Sequence, residues 1–214
     1  MIYSYSHKFK ERKVNYMEVI LASASPRRQQ LLSKLVHHFD IIPSTIDEKI
    51  IKDTENNPAE LVKKLSSEKA FDVFHKKYQK NDKEFTVIGS DTVVYFNGIV
   101  LGKPADRSNA VSMLSALQNK SNDVYTGTTI IIKKEHSIIV ETFYTKSTVY
   151  FKPMSYNDIQ NYVNTKEPLD KAGAYAIQGE GQKYLRGFEG DYHAIVGLDI
   201  KKIANIFQKY QLLP

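Results

Sequence analysis

Val19-Ile20-Leu21-Ala22-Ser23-Ala24-Ser25-Pro26-Arg27-Arg28-Gln29-Gln30-Leu31-Leu32 is the stretch whose reading decides the fold. Residues 19–22 are a short apolar run of the kind that forms a buried strand, and the run enters a turn of small residues. Ser25 is placed to cap a helix, with Pro26 at the first helical position, where its missing N–H costs nothing. Leu31, Leu32, Leu35 and Val36 recur at helical spacing, so the pattern predicts an amphipathic helix over roughly 26–37. Strand, tight turn and helix in direct succession open an α/β fold.

Outward from there, residues 39–43 predict a second strand. Asn57 and Pro58 open a long helix with Leu61, Val62, Leu65, Ala70, Val73 and Phe74 on its apolar face. Residues 85–89 predict another buried strand, and 92–100 contain the Asn97-Gly98 pair that two-residue hairpin turns favour. A helix over 106–118 turns Ala110, Met113, Leu114 and Leu117 inward. Two β-rich runs, 124–132 and 138–151, predict a hairpin. Ser155 with Asp158 forms a capping box for a helix to about Asn164; a glycine-rich stretch, 173–197, follows, and Asp199 caps a terminal helix reaching about Tyr210. The expected class is α/β, organised as a basic extension over 1–16 and a single domain over 17–214.

Composition narrows the function classes. A chain of 214 residues, 42% hydrophobic and 25% charged, can bury a sizeable core, which excludes disordered and fibrous proteins. No apolar run approaches the ~18 residues of a membrane-spanning helix, so no membrane is expected as a partner. Cysteine is absent, which removes disulfide scaffolds, thiolate metal sites and cysteine nucleophiles together and fits a reducing, cytoplasmic compartment. Residues 1–16 lack the apolar centre of a secretory signal. They carry half of the net charge of +6, through Lys8, Lys10, Arg12 and Lys13 against Glu11. This arm reads as a solvated, flexible terminus, and the other +3 is spread over the remaining chain with acids and bases interspersed, which argues against nucleic acid as the partner. No feature fixes an oligomeric state, and a homodimer is compatible with the sequence.

Several segments could carry chemistry. The Ser23–Arg28 turn offers hydroxyls, two guanidinium forks and a helix start, which together suit a phosphate, though a plain capped helix would look the same. Asp91 in Gly89-Ser90-Asp91-Thr92 follows a buried strand, where ligands of α/β sheets gather; it could hold a divalent ion, take a proton from water, or merely bond its own turn. Asp47 and Glu48 are a second source of carboxylates. Lys69 and Lys103 read individually as solvated lysines, and the six histidines show no metal-ligand spacing. Gln178, within Gly173-Ala174-Tyr175-Ala176-Ile177-Gln178-Gly179, could read donors and acceptors on a base edge. None of these segments decides the matter alone.

Taken in order, Leu21–Leu32 (LASASPRRQQLL), Ile46-Asp47-Glu48, Lys69-Ala70, Ser90-Asp91-Thr92-Val93-Val94, LGKP at 101–104, Tyr125-Thr126-Gly127, EPLDKAGAYAIQG at 167–179 and DYHAIVGL at 191–198 resemble the Maf family of nucleoside triphosphate pyrophosphatases. The likeness runs from about Glu18 to Leu198. It implies an elongated mixed β-sheet with flanking helices and two lobes around a cleft, related to the inosine triphosphate pyrophosphatases. It also implies hydrolysis of a nucleoside triphosphate to the monophosphate and pyrophosphate with a divalent cation, Mg2+ or Mn2+. By position, Asp91 matches the family's proton acceptor and Glu48 its other functional acid. Ser23, Arg28, Lys69 and Lys103 match its phosphate-binding set, and Arg27, Thr92 and Gln178 match the branch acting on dTTP and UTP. Ser90 departs from the alanine common before the aspartate, a change expected to be harmless.

On this reading Asp91 and Glu48 hold the metal and orient water toward the α-phosphorus, because an ordinary aspartate is too weak a base to act alone. The alternatives are the same chemistry on 7-methyl-GTP or modified nucleotides, and a non-catalytic regulatory protein linked to septum formation. The second has no use for carboxylates beside a phosphate cradle.

Overall fold

A computed structural model describes residues 17–79 and 83–212; the basic extension over 1–16 lies outside them. One mixed sheet organises the chain. Its strands are β1 (Glu18–Leu21), β2 (Asp40–Ile41), β3 (Phe85–Phe96), β4 (Ile99–Leu101), β5 (Ser121–Lys134), β6 (Ser137–Phe151) and β7 (Leu185–Glu189). The order is β2-β1-β3-β5-β6-β7, with β4 pairing β3. β1 runs parallel to β2 and β3, and all the other pairs are antiparallel. The expected 39–43 strand is only two residues long, at the exposed edge. Asn97 and Gly98 both take positive φ, 49° and 82°, as the predicted tight hairpin requires.

Side chains alternate across the inner strands, and both faces are covered. Val19, Leu21, Ile88, Ile130 and Ile132 pack toward α1 (Pro26–Leu32) and toward the terminal helix Ile200–Lys209. Ile20, Phe85, Val87 and Ile131 pack on the other face, against Ala70, Val73 and Phe74 of the long helix Pro58–Tyr78, called α3 because the short α2 (Lys49–Thr54) precedes it. Covering both faces is what allows these strands to read as continuous apolar runs. A third cluster joins the helices Arg107–Leu117 and Tyr156–Asn164 to Tyr175, Ile177 and Ile195.

Two local expectations are corrected. The first helix stops at Leu32; tighter turns follow, with Leu35 N–H donating to Leu32 O at 2.9 Å. Leu31, Leu32 and Val36 still reach the core, so the periodicity recorded burial rather than helix length. Ser25 makes no side-chain cap; its N–H donates to Ser23 Oγ at 3.3 Å. By contrast Asn57, Asp106 and Asp199 cap their helices, and Ser155 and Asp158 form the expected reciprocal box.

α3 is seated unusually close to the sheet. A Cβ on Gly127 would stand 2.1 Å from Val62 O, and one on Gly89 would stand 2.3 Å from Ser66 O. Only glycine permits this approach. The seat matters because Lys69 rides on the same helix.

Candidate active site

β3 has β5 along one edge through almost its whole length, with Phe85 to Tyr95 in register with Lys133 to Asp123. Its other edge is shared. β1 covers Phe85 to Ile88, and β4 covers Val94 to Phe96. Between them, Gly89 to Val93 have no strand beside them on that edge. A cleft of about 760 Å³ opens there, and Asp91 lies at the middle of the gap. The expectation that Asp91 directly follows a strand is therefore corrected: it sits inside a continuous 12-residue strand, opposite Gly127 and beyond Ile88, the last residue that β1 covers.

Alternation along β3 sends Asp91 and Thr92 to opposite faces. On the α3 face, Lys69 Nζ donates to Asp91 Oδ1 at 2.5 Å and lies 2.6 Å from Glu48 Oε1. Glu48 stands at the start of α2, which Asp47 initiates by accepting the Lys49 N–H at 2.9 Å. One turn on, Lys52 Nζ donates to Glu48 Oε2 at 2.5 Å. Burial pushes the Glu48 carboxyl up, but the hydrogen bonds and charges of Lys52 and Lys69 outweigh it and hold its pKa at about 2.

On the other face the Arg28 guanidinium joins three segments. Nε donates to Gly197 O at 2.9 Å, Nη1 to Ser23 Oγ at 3.2 Å and Nη2 to Thr92 Oγ1 at 3.4 Å. Every partner is neutral, and among the described residues Arg28 has no carboxylate within 4.0 Å. Burial lowers its pKa, and Asp91 nearby opposes that shift. A half-buried cation without a contacting counter-ion favours an anionic ligand. Thr92 Oγ1 also meets Thr126 Oγ1 at 2.9 Å, while Ser90 Oγ reaches Gly127 O and Gly197 O at 2.8 and 3.0 Å. The serine in place of alanine therefore pins the loop that carries the Arg28 acceptor.

Lys103 leaves β4 at the rim, exposed and without an ion pair among the described residues. Arg27 Nη1 donates to Asp170 Oδ2 at 3.2 Å, and Lys171 Nζ contacts the other oxygen of that carboxylate. Gln178 lines the cleft beside Tyr175, Ala176 and Ile177. Ser23 lines an adjoining hollow of about 380 Å³ that shares Arg27, Arg28, Glu48, Lys69 and Lys103 with the main cleft. The nine residues matched to the family's site thus line these two adjoining hollows, whereas Asp47, the other candidate carboxylate, lines neither and bonds the Lys49 N–H instead.

The profile of the family described as Maf-like protein matches residues 18–210. The chain belongs to the Maf family. Its relatives include a dTTP/UTP pyrophosphatase of Caldicellulosiruptor bescii, 44% identical over 89% of this chain and 94% of that protein. Others are the dTTP/UTP pyrophosphatases of Clostridium novyi, 42% identical over 89% and 96%, and of Bacillus cereus, 36% identical over 91% and 96%.

Within this Maf site, Asp91 and Glu48 could hold a divalent ion. Both offer hard carboxylate oxygens, and a cation, the Lys69 ammonium, already stands between them. Among the described residues no three His, Cys, Asp or Glu side chains form a fuller cage. A two-carboxylate set suits an ion that completes its shell with substrate phosphates. Sequence reasoning missed Lys52, Asp170 and Lys171. Lys52 had a readable signal, four residues after Glu48, but only had the six-residue α2 been foreseen. No helix of the described residues is long and apolar enough to cross a membrane.

Proposed function

We propose that this chain hydrolyses dTTP and UTP to the monophosphate and pyrophosphate. The observation that carries the reading is the arrangement of the cleft. Arg28, Lys69 and Lys103 converge beside two carboxylates, Asp91 and Glu48, in a hollow large enough for a nucleotide. The relatives' names support the choice of substrates.

A triphosphate carries about four negative charges, so positioning and charge neutralisation are the main tasks. Arg28 presents a planar fork already fixed by three acceptors, so little freedom is lost when phosphate oxygens arrive. Lys103 at the rim and Lys69 within add point charges. Asp91 accepts a proton from the attacking water, whose oxygen bonds to the α-phosphorus as the bond to the bridging oxygen of the β-phosphate breaks and pyrophosphate leaves. No covalent enzyme intermediate is needed. A divalent ion held by Asp91 and Glu48 would supply charge stabilisation and make the water more acidic. Gln178 pairs through its amide with the carbonyl and N3–H edge of uracil or thymine, against the apolar wall of Tyr175, Ala176 and Ile177. A cytoplasmic location goes with this reading, since nucleoside triphosphates are made there.

The test is a panel of triphosphates, including dTTP, UTP, the other common nucleotides and 7-methyl-GTP, with released pyrophosphate measured. Preference for dTTP and UTP is expected. Release of inorganic phosphate alone, or equal rates on purine nucleotides, would overturn the reading.

A further inference from the structure

Lys69 is placed for more than gripping phosphate. Its Nζ lies 2.5 Å from Asp91 Oδ1 and 2.6 Å from Glu48 Oε1, and its side chain is only 12% exposed. The two carboxylates come from separate elements, β3 and the start of α2, and their nearest oxygens are no farther apart than these two contacts laid end to end. One ammonium therefore fills the point where both acids converge. The same point is where a hard divalent ion would sit when it takes one or two carboxylates and leaves the rest of its shell to phosphates. The second oxygen of Glu48 is also occupied, by Lys52.

Building on the proposed function, we infer that Lys69 is a place-holder for the cation. In the substrate-free protein its ammonium neutralises the Asp91–Glu48 pair, so the pair has low affinity for a divalent ion offered alone. The triphosphate gives the ammonium another partner and frees the carboxylates. The ion thus arrives with the nucleotide and leaves with pyrophosphate, rather than residing in the protein. Linkage then requires nucleotide and ion each to raise the affinity for the other by the same factor. The close seating of α3 on Gly89 and Gly127 keeps the Lys69 stem where the ammonium can swing between the two partners.

The test uses the full chain and Mn2+, whose free form is counted by electron paramagnetic resonance. Without nucleotide, Lys69→Met is expected to bind Mn2+ at least about tenfold tighter than wild type, since a contacting positive charge is removed. Lys103→Met removes a cleft cation that touches neither acid, and should change the affinity by less than about threefold. Lys69→Gln, read with circular dichroism, serves if the methionine variant misfolds, and should also tighten binding. With a non-hydrolysable α,β-methylene analogue of dTTP, Mn2+ affinity of the wild type should rise at least about tenfold, and that of Lys69→Met by less. Mn2+ binding no tighter in the Lys69 variants than in wild type, or tightened equally by Lys103→Met, overturns the inference. If the wild type releases pyrophosphate normally, the proposed function survives that result. The expected Mn2+ pattern in a protein that releases no pyrophosphate from dTTP or UTP would instead overturn the function and leave the competition standing.

Discussion

Replacing Arg28 by lysine keeps the charge and removes the fork. The guanidinium donates to Gly197 O, Ser23 Oγ and Thr92 Oγ1 at 2.9, 3.2 and 3.4 Å, whereas a lysine ammonium at this position can reach one of them. A hydrogen bond to a charged group contributes about 1.5–3 kcal/mol. The abandoned acceptors are not left empty, because Gly197 O keeps Ser90 Oγ and Thr92 Oγ1 keeps Thr126. The folding cost of Arg28→Lys should therefore be that of about one such bond, a fall of roughly 3–12 °C in Tm for a chain of this size. Turnover should suffer more, because phosphate orientation depends on the planar fork. A loss of about 100-fold in kcat/KM for dTTP, equivalent to about 2.7 kcal/mol of transition-state stabilisation, is expected. Pyrophosphate release over a range of dTTP concentrations, measured beside thermal unfolding, separates the two effects. A variant within about threefold of wild-type kcat/KM, but with the lowered Tm, would show that Arg28 only rivets three segments together, and the phosphate assignment would be refuted.

Four other perturbations follow from the same geometry. Asp91→Asn should abolish pyrophosphate release while leaving the circular dichroism spectrum in place, and retained turnover would refute the role of Asp91 as proton acceptor. Gln178→Ala should raise KM for UTP and blunt base discrimination, with an unchanged substrate profile counting against the amide as the base reader. Gly127→Ala sets a Cβ 2.1 Å from Val62 O and should cost about 1–3 kcal/mol, seen as a Tm lowered by roughly 2–12 °C; an unshifted Tm would mean that α3 is not seated there. The Glu48 carboxyl sits at about 2 in the fold against an ordinary 4.5, so its stabilising contribution is complete above about pH 5 and fades as pH falls toward 2. Glu48→Gln should accordingly lower Tm by a constant amount above about pH 5, with the gap closing in acid, and a gap that widens in acid would contradict the ion-pair network.

Most of the fold was legible because its signals are local. Helix starts at Asn57, Ser155 and Asp199, the Asn97-Gly98 turn and the β-rich runs of β5 and β6 all declare themselves within a few residues. The misses share a cause. α2 buries no side chain fully, so it leaves no apolar period to read, and the stretch 173–197 resolves into 3₁₀ turns, β7 and the short helix Tyr192–Val196, each too brief for periodicity. The helix of α1 was overextended because Val36 is buried by a turn as well as a helix would bury it.

The site itself was legible only in its residue types. Local pattern gave a strand ending before Asp91, because Gly89-Ser90 looks like a break. The glycine is there for another reason: α3 presses on it from above, and β3 continues without interruption. What ends near Asp91 is the neighbour, β1, whose last partner is Ile88, while β4 begins only at Val94. The hollow is thus a vacancy between two partners of one strand, and a vacancy in pairing has no residue pattern of its own. The resulting arrangement brings side chains from both faces of the sheet to one open edge. Asp91 projects toward α3 and Lys69, Thr92 projects toward Arg28, and the unpaired edge between them is where a ligand can touch both. A third strand laid along Gly89 to Val93 would satisfy more backbone groups and close the site; the chain spends that edge on access instead.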